Sequence, residues 1–263
     1  MAFYGEGVTF LNFDGTYFSQ KQLFQFPHEW LDLTHISQTN LYCHPESLAQ
    51  IKRRLNERKY KGITFIGSGN YHYVSYLLLQ EINEPFTLVL FDHHTDLGNE
   101  KEPLISCGSW VSYALEHIPF LERVVMIGPT STYNLPSYST KITIFSNEHS
   151  PKLILSNIQT DAVYISIDKD VLCRDDALTN WEQGTMRLET LLRYIKHLLY
   201  SKEVIGLDVC GEYPQTSVNW FDPLCREALR KNQYANRCLI ETCLQSSKHF
   251  VHVKGLTPAA LTR

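Results

Sequence analysis

Six short apolar runs, each stopped by polar or glycine residues, punctuate this sequence: Ile63–Ile66, Thr87–Phe91, Arg123–Ile127, Ile142–Phe145, Ala162–Ile167 and Val204–Val209. Their length and β-branched content read as strands buried on both faces of a parallel sheet. Parallel strands need crossover connections, and helical patterns lie between several of the runs. Leu188, Leu191, Leu192, Ile195, Leu198 and Leu199 share one face of an amphipathic helix. Tyr73–Ile82 and Trp110–Ile118 read as further helices, and Asn236–Ser246 as a helical portion near the C-terminus. Alternating strand and helix implies right-handed βαβ units, hence a three-layer α/β/α fold around a mostly parallel, doubly wound sheet.

The 263 residues, 43% hydrophobic, suit one domain over 1–263, since no Pro-, Gly- or Ser-rich seam divides them. A net charge of −4 argues against nucleic acid or an anionic membrane as the main partner. The basic run Lys52–Lys61, on a helix starting after Pro45, reads as a solvated face. The opening residues Met1–Glu6 lack a basic, apolar signal pattern, and no apolar run approaches membrane-spanning length. Seven scattered cysteines without a CxxC pair fit reduced thiols and a cytoplasmic location.

In open α/β sheets, ligands bind beyond the carboxyl ends of the strands, and that is where ionisable residues gather here. Asp92-His93-His94-Thr95-Asp96 follows one strand, and Asp168-Lys169-Asp170 follows another. Gly67 to His72 follows a third, while a fourth supplies Asp208 and then Glu212. Taken singly, each has an ordinary explanation as a turn, a cap or a core histidine. Together they are more specific. Residues i and i+2 of an extended stretch point the same way, so Asp92, His94 and Asp96 would converge, as would Asp168 and Asp170. With His72, these make four carboxylates and two imidazoles, enough for two divalent ions with bridging carboxylates. Oxygen and nitrogen donors, with no cysteine spaced as a ligand, favour a hard ion such as Mn²⁺ over structural Zn²⁺.

Gly-x-x-x-x-His at 67–72, Asp-x-His-x-Asp at 92–96 and Ser-x-Asp-x-Asp at 166–170 resemble, in order, the three metal motifs of the ureohydrolase family of arginases, agmatinases and formiminoglutamases. Asp208–Pro214 resembles its substrate-side motif. The resemblance implies two Mn²⁺ per chain, one held by His72, Asp92, Asp96 and Asp168, the other by Asp92, His94, Asp168 and Asp170. It implies attack of hydroxide on a guanidinium carbon, releasing urea and an amine, with Asp96 as ligand and proton relay. His93 is expected behind the ligands or beneath the sheet. The family's trimers and hexamers would imply a homo-oligomer, although no interface signal is readable in the sequence.

Departures from the family pattern bear on the substrate. Cys107, in Ser106-Cys107-Gly108, stands where a proton-shuttling histidine is usual, and either takes that role or is a small buried residue. Gly98 replaces an asparagine that anchors the α-carboxylate of arginine, with Asn99 next to it. Counting back from Pro214 puts Gly211 at the guanidinium-binding glutamate, and a bulge would be needed to bring Glu212 there. Trp181, in a loop that replaces a Pro/Gly-rich turn, is a candidate pocket wall. The resulting expectation is a guanidino hydrolase acting on a small guanidino molecule or an arginine side chain within a peptide, giving ornithine. Other amidine, formimino or amide substrates, a deacetylase-like single-Zn²⁺ enzyme and a non-catalytic metal-binding homologue stand as alternatives.

Overall fold

The computed structural model describes residues 7–98, 103–130, 139–214 and 222–253, the last eight of them as backbone. In chain order the strands are β1 (Val8–Asn12), β2 (His28–Asp32), β3 (Tyr42–Cys43), β4 (Ile63–Phe65), β5 (Phe86–Phe91), β6 (Ile105–Ser106), β7 (Leu121–Ile127), β8 (Ile142–Phe145), β9 (Ala162–Asp168) and β10 (Glu203–Cys210). The α-helices are α1 (Pro45–Leu55), α2 (Val74–Leu79), α3 (Trp110–His117), α4 (Pro151–Ser156), α5 (Leu188–Ser201) and α6 (Pro223–Val253).

Eight strands form one sheet in the order β2-β1-β4-β10-β9-β5-β7-β8, and every pairing in it is parallel. The six strands expected from the apolar runs are all present, within about two residues of their expected ends. Burial follows sheet position. Every residue of β5 and β9, in the middle, is buried, whereas the edge strands β2 and β8 are mostly half-buried. A separate two-stranded antiparallel ribbon pairs β3 with β6.

Two apolar cores flank the sheet. One packs Leu191, Ile195 and Leu198 of α5, with Leu239 and Ile240 of α6, against Val89, Ile165 and Val209. The other packs Ile51, Leu77 and Val111, from α1, α2 and α3, against Leu88, Leu90 and Met126. Helices thus cover both faces, and the three-layer architecture follows. α1 and α4 each start with proline at the first turn, where a missing N–H costs nothing; Ser150 also caps α4 by accepting from the Leu153 N–H. Lys52 and Arg53, in the last turn of α1, face solvent as expected. Arg58 corrects that reading. It is buried, pairs with Glu81 at 2.6 Å and donates to Thr64 Oγ1 and the Leu55 carbonyl. Among the described residues, no helix is long and apolar enough to cross a membrane.

β4, β10, β9 and β5 are neighbours at the centre of the sheet, so the segments leaving their carboxyl ends meet in one place.

Candidate metal centre

Asp92 follows directly on β5, Asp168 ends β9, and His72 closes the single 3-10 turn Gly69–Tyr71 that leads from β4 to α2. His72 Nδ1 lies 3.3 Å from Asp92 Oδ2, 3.0 Å from Asp96 Oδ2 and 3.6 Å from Asp168 Oδ2. On the other side, His94 Nδ1 lies 2.8 Å from Asp170 Oδ2 and 3.6 Å from Asp92 Oδ1. Asp92 therefore offers one carboxylate oxygen to each group, as a bridging ligand would. All six expected metal residues come together.

The route by which Asp96 arrives differs from the pleat argument. β5 ends at Phe91, and the chain beyond it bends instead of continuing as a strand. Asp96 is held at φ 50°, a left-handed conformation uncommon for a side-chain-bearing residue. The start of α3 fixes it there. Val111 N–H donates to the Asp96 carbonyl at 3.1 Å, and Trp110 Nε1 donates to Asp96 Oδ2 at 2.7 Å. Trp110 also sets its ring 4.8 Å from that of His72.

Behind His72, its Nε2 meets Ser166 Oγ at 3.0 Å, and Ser166 donates to Asp208 Oδ1 at 2.8 Å. Such a chain fixes the ring so that Nδ1 faces the three aspartates. Ser166 opens the motif at 166–170, but its bond to His72 has no signal in the sequence, and neither has the part played by Trp110. Cys210 was likewise unforeseen: its Sγ lies 3.1 Å from Asp168 Oδ2 and within reach of His72. Complete burial pushes the Cys210 thiol up, so it stands as an S–H donor to the carboxylate.

So many carboxylates in one buried place are costly in the polypeptide alone. Burial first, then the neighbouring Asp170 charge, raises Asp168 to about 6; burial and the Asp92 charge raise Asp170 to about 7. His94 is pulled up to about 11, chiefly by its hydrogen bonds to Asp170 and Asp92. Asp92 Oδ2 is buried without a hydrogen-bond partner. An orphaned carboxylate oxygen amid oxygen and imidazole donors fits divalent cations, which supply the charge that the pocket lacks.

The cluster forms the floor of a cavity of about 360 Å³. Cys107 lines it, but burial and the Asp96 charge push its thiol up to about 12, leaving it a neutral wall residue in the polypeptide alone. His93, expected behind the ligands or beneath the sheet and not as a ligand, lines the cavity outside the candidate ligand groups, with Nδ1 buried and unpartnered. Its backbone N–H donates to Asp170 Oδ1 at 3.0 Å. Trp181 lines the rim, half open to solvent, its ring 6.0 Å from that of His94. Asn99 lies outside the described residues.

Glu212 requires a correction. Its carboxylate pairs with buried Lys169, accepts from Asn236 Nδ2 and, on the other oxygen, from Gln20 Nε2 at 2.8 Å and Asn232 Nδ2 at 3.2 Å. Both oxygens are engaged, and Glu212 does not line the cavity. Nor can Gly211 be replaced by an acid there: at φ 83°, a Cβ would meet the backbone nitrogen of Lys169 at 2.6 Å.

A sequence model of the arginase family matches residues 12–220. A Thermotoga maritima protein described as uncharacterized is 30% identical over 259 residues, covering 97% of this chain and 98% of its own. Entamoeba histolytica arginase in complex with L-ornithine superposes with a TM-score of 0.64 at 14% identity, over 91% of this chain and 97% of that one. Formimidoylglutamase from Bacillus subtilis gives 0.62 at 15% identity, over 89% and 86%. Proclavaminate amidino hydrolase from Streptomyces clavuligerus gives 0.62 at 12% identity, over 91% and 93%. At these identities the solved structures establish the shared fold.

Proposed function

The chain belongs to the arginase family, and from that membership we propose that it is a dinuclear manganese hydrolase that cleaves a guanidino C–N bond and releases urea. The observation carrying this reading is the paired set His72–Asp92–Asp96 and Asp92–His94–Asp170, joined through Asp92 and flanked by Asp168. Oxygen-rich donors suit Mn²⁺. Two such ions would supply Lewis acidity and a water acidified toward neutral pH.

The protein's own contributions are positioning and charge. Asp92 would join the two halves, with Asp168 beside His72, and Asp96, kept in place by Trp110 on the cavity wall, would act as proton relay. Four aspartates and Glu182 line the cavity, and among the described residues no lysine or arginine does. Its acidic groups favour a cationic guanidinium, and among the described residues no cationic Lys or Arg side chain is there to pair with a free α-carboxylate. The substrate class that fits is therefore a guanidino compound lacking that carboxylate, with an arginine side chain inside a peptide, converted to ornithine, the leading candidate.

The test is urea release from free arginine, agmatine and an arginine-containing peptide by the Mn²⁺-loaded protein. Urea from the peptide in preference to free arginine is expected. Absence of urea from all three would retire the reading.

A further inference from the structure

A guanidinium held for hydrolysis needs an acidic partner, and the strand end where one was expected has none. Gly211 has no room for a side chain, and Glu212 is saturated by Lys169, Gln20, Asn232 and Asn236. Apart from the four aspartates of the cluster, Glu182 is the one acidic residue lining the cavity among the described residues. Its exposed carboxylate makes no hydrogen bond or ion pair to another described residue, and its charge acts on His93, which lines the same cavity.

The segment carrying Glu182 is tied down on both sides. Trp181 N–H bonds to Thr179 Oγ1, and its indole Nε1 donates to Asn70 Oδ1 at 3.0 Å. Asn180 Nδ2 reaches the same oxygen at 3.1 Å. Gln183 Nε2 donates to the carbonyls of Leu172 and Ala177, and Gly184 N–H to the carbonyl of the cluster residue Asp170 at 2.7 Å. Glu182 is thus an exposed acid on an anchored loop, two residues from a direct bond to the cluster residue Asp170. Beside it, the Trp181 ring lies over Gly69, where even a Cβ would come within 2.9 Å of it. A carboxylate and an indole presented by one loop to the same cavity are a suitable pair for a planar cation.

We infer that Glu182, presented with Trp181 by the loop 179–184, is the substrate-binding carboxylate that receives the guanidinium, in the role left vacant at Gly211. This rests on the guanidino-hydrolase reading. The recognising acid then sits on the rim of the cavity instead of its floor, where a side chain projecting from a peptide can reach it.

The experiment compares wild type with Glu182→Gln and Trp181→Phe, each loaded with Mn²⁺, measuring metal per chain, kcat and KM for an arginine-containing peptide. Inhibition by the same peptide carrying citrulline, the uncharged isostere of arginine, is measured alongside. Glu182→Gln should raise KM about tenfold, the order expected for losing a partly exposed charge-assisted hydrogen bond, with unchanged metal content and citrulline inhibition. A wild-type KM in Glu182→Gln, or an equal loss for the citrulline peptide, overturns the assignment while leaving the hydrolase reading intact. Should wild type release no urea, that reading fails, and calorimetric binding of the arginine peptide decides the role of Glu182. Binding weakened by Glu182→Gln upholds it; binding that is absent or unaffected overturns it.

Discussion

His72 shows how few atoms decide the site. Its Nδ1 faces three aspartates only because Nε2 is held by Ser166, which is in turn held by Asp208. Ser166→Ala or Asp208→Asn should therefore weaken Mn²⁺ binding by about 10–100-fold in a calorimetric titration while the protein still folds. Asp168→Ala, which removes a carboxylate reaching toward His72, should cost at least one ion per chain outright. The six candidate ligand residues were legible in the sequence because each stands at, or a few residues beyond, the end of an apolar run, in a spacing with few other uses. Ser166, Trp110 and Cys210 were not legible as partners. Their roles depend on side chains that meet across strands or from the start of α3, which no local pattern records. Glu212 misled for the same reason: an acid one residue from the expected place turns out to face Lys169.

At the scale of elements, Lys169 and Glu212 knit the carboxyl ends of β9 and β10 to α6 through Asn232 and Asn236, and to Gln20 before β2. Lys169 is fully buried, so its counter-charge is indispensable. Glu212→Gln should cost about 3–5 kcal/mol of stability, the range for stranding one partner of a buried ion pair. A denaturant titration checks it, and a variant as stable as wild type would return Glu212 to consideration as a substrate residue. The central strands were readable because burial on both faces makes them continuously apolar. β1 and β2 escaped notice: β2, at the sheet edge, reads His-Glu-Trp-Leu-Asp and is half-buried, so its pattern is mixed. α6 extends well beyond the helical portion expected around Asn236–Ser246, its longer course set by docking against α5 and the sheet.

For the whole molecule, the buried carboxylates link stability to pH. Asp168 and Asp170 titrate near 6 and 7 in the polypeptide alone, above an unfolded reference of about 3.9. Raised carboxylate values mean that the metal-free fold is relatively favoured below pH 4 and loses that advantage as pH rises to about 7. Divalent ions must displace those protons and the one on His94, so metal binding should tighten as pH rises. The gain in Tm on adding Mn²⁺ is expected to be larger at pH 8 than at pH 6; a pH-independent gain would place the ions elsewhere. The most direct measurement is the number of Mn²⁺ ions retained per folded chain after loading and desalting, for wild type and for Asp92→Ala. Two ions in wild type and a collapse of both in Asp92→Ala are predicted, because Asp92 faces both halves of the cluster. A single ion in wild type, or two that survive Asp92→Ala, would contradict the dinuclear site.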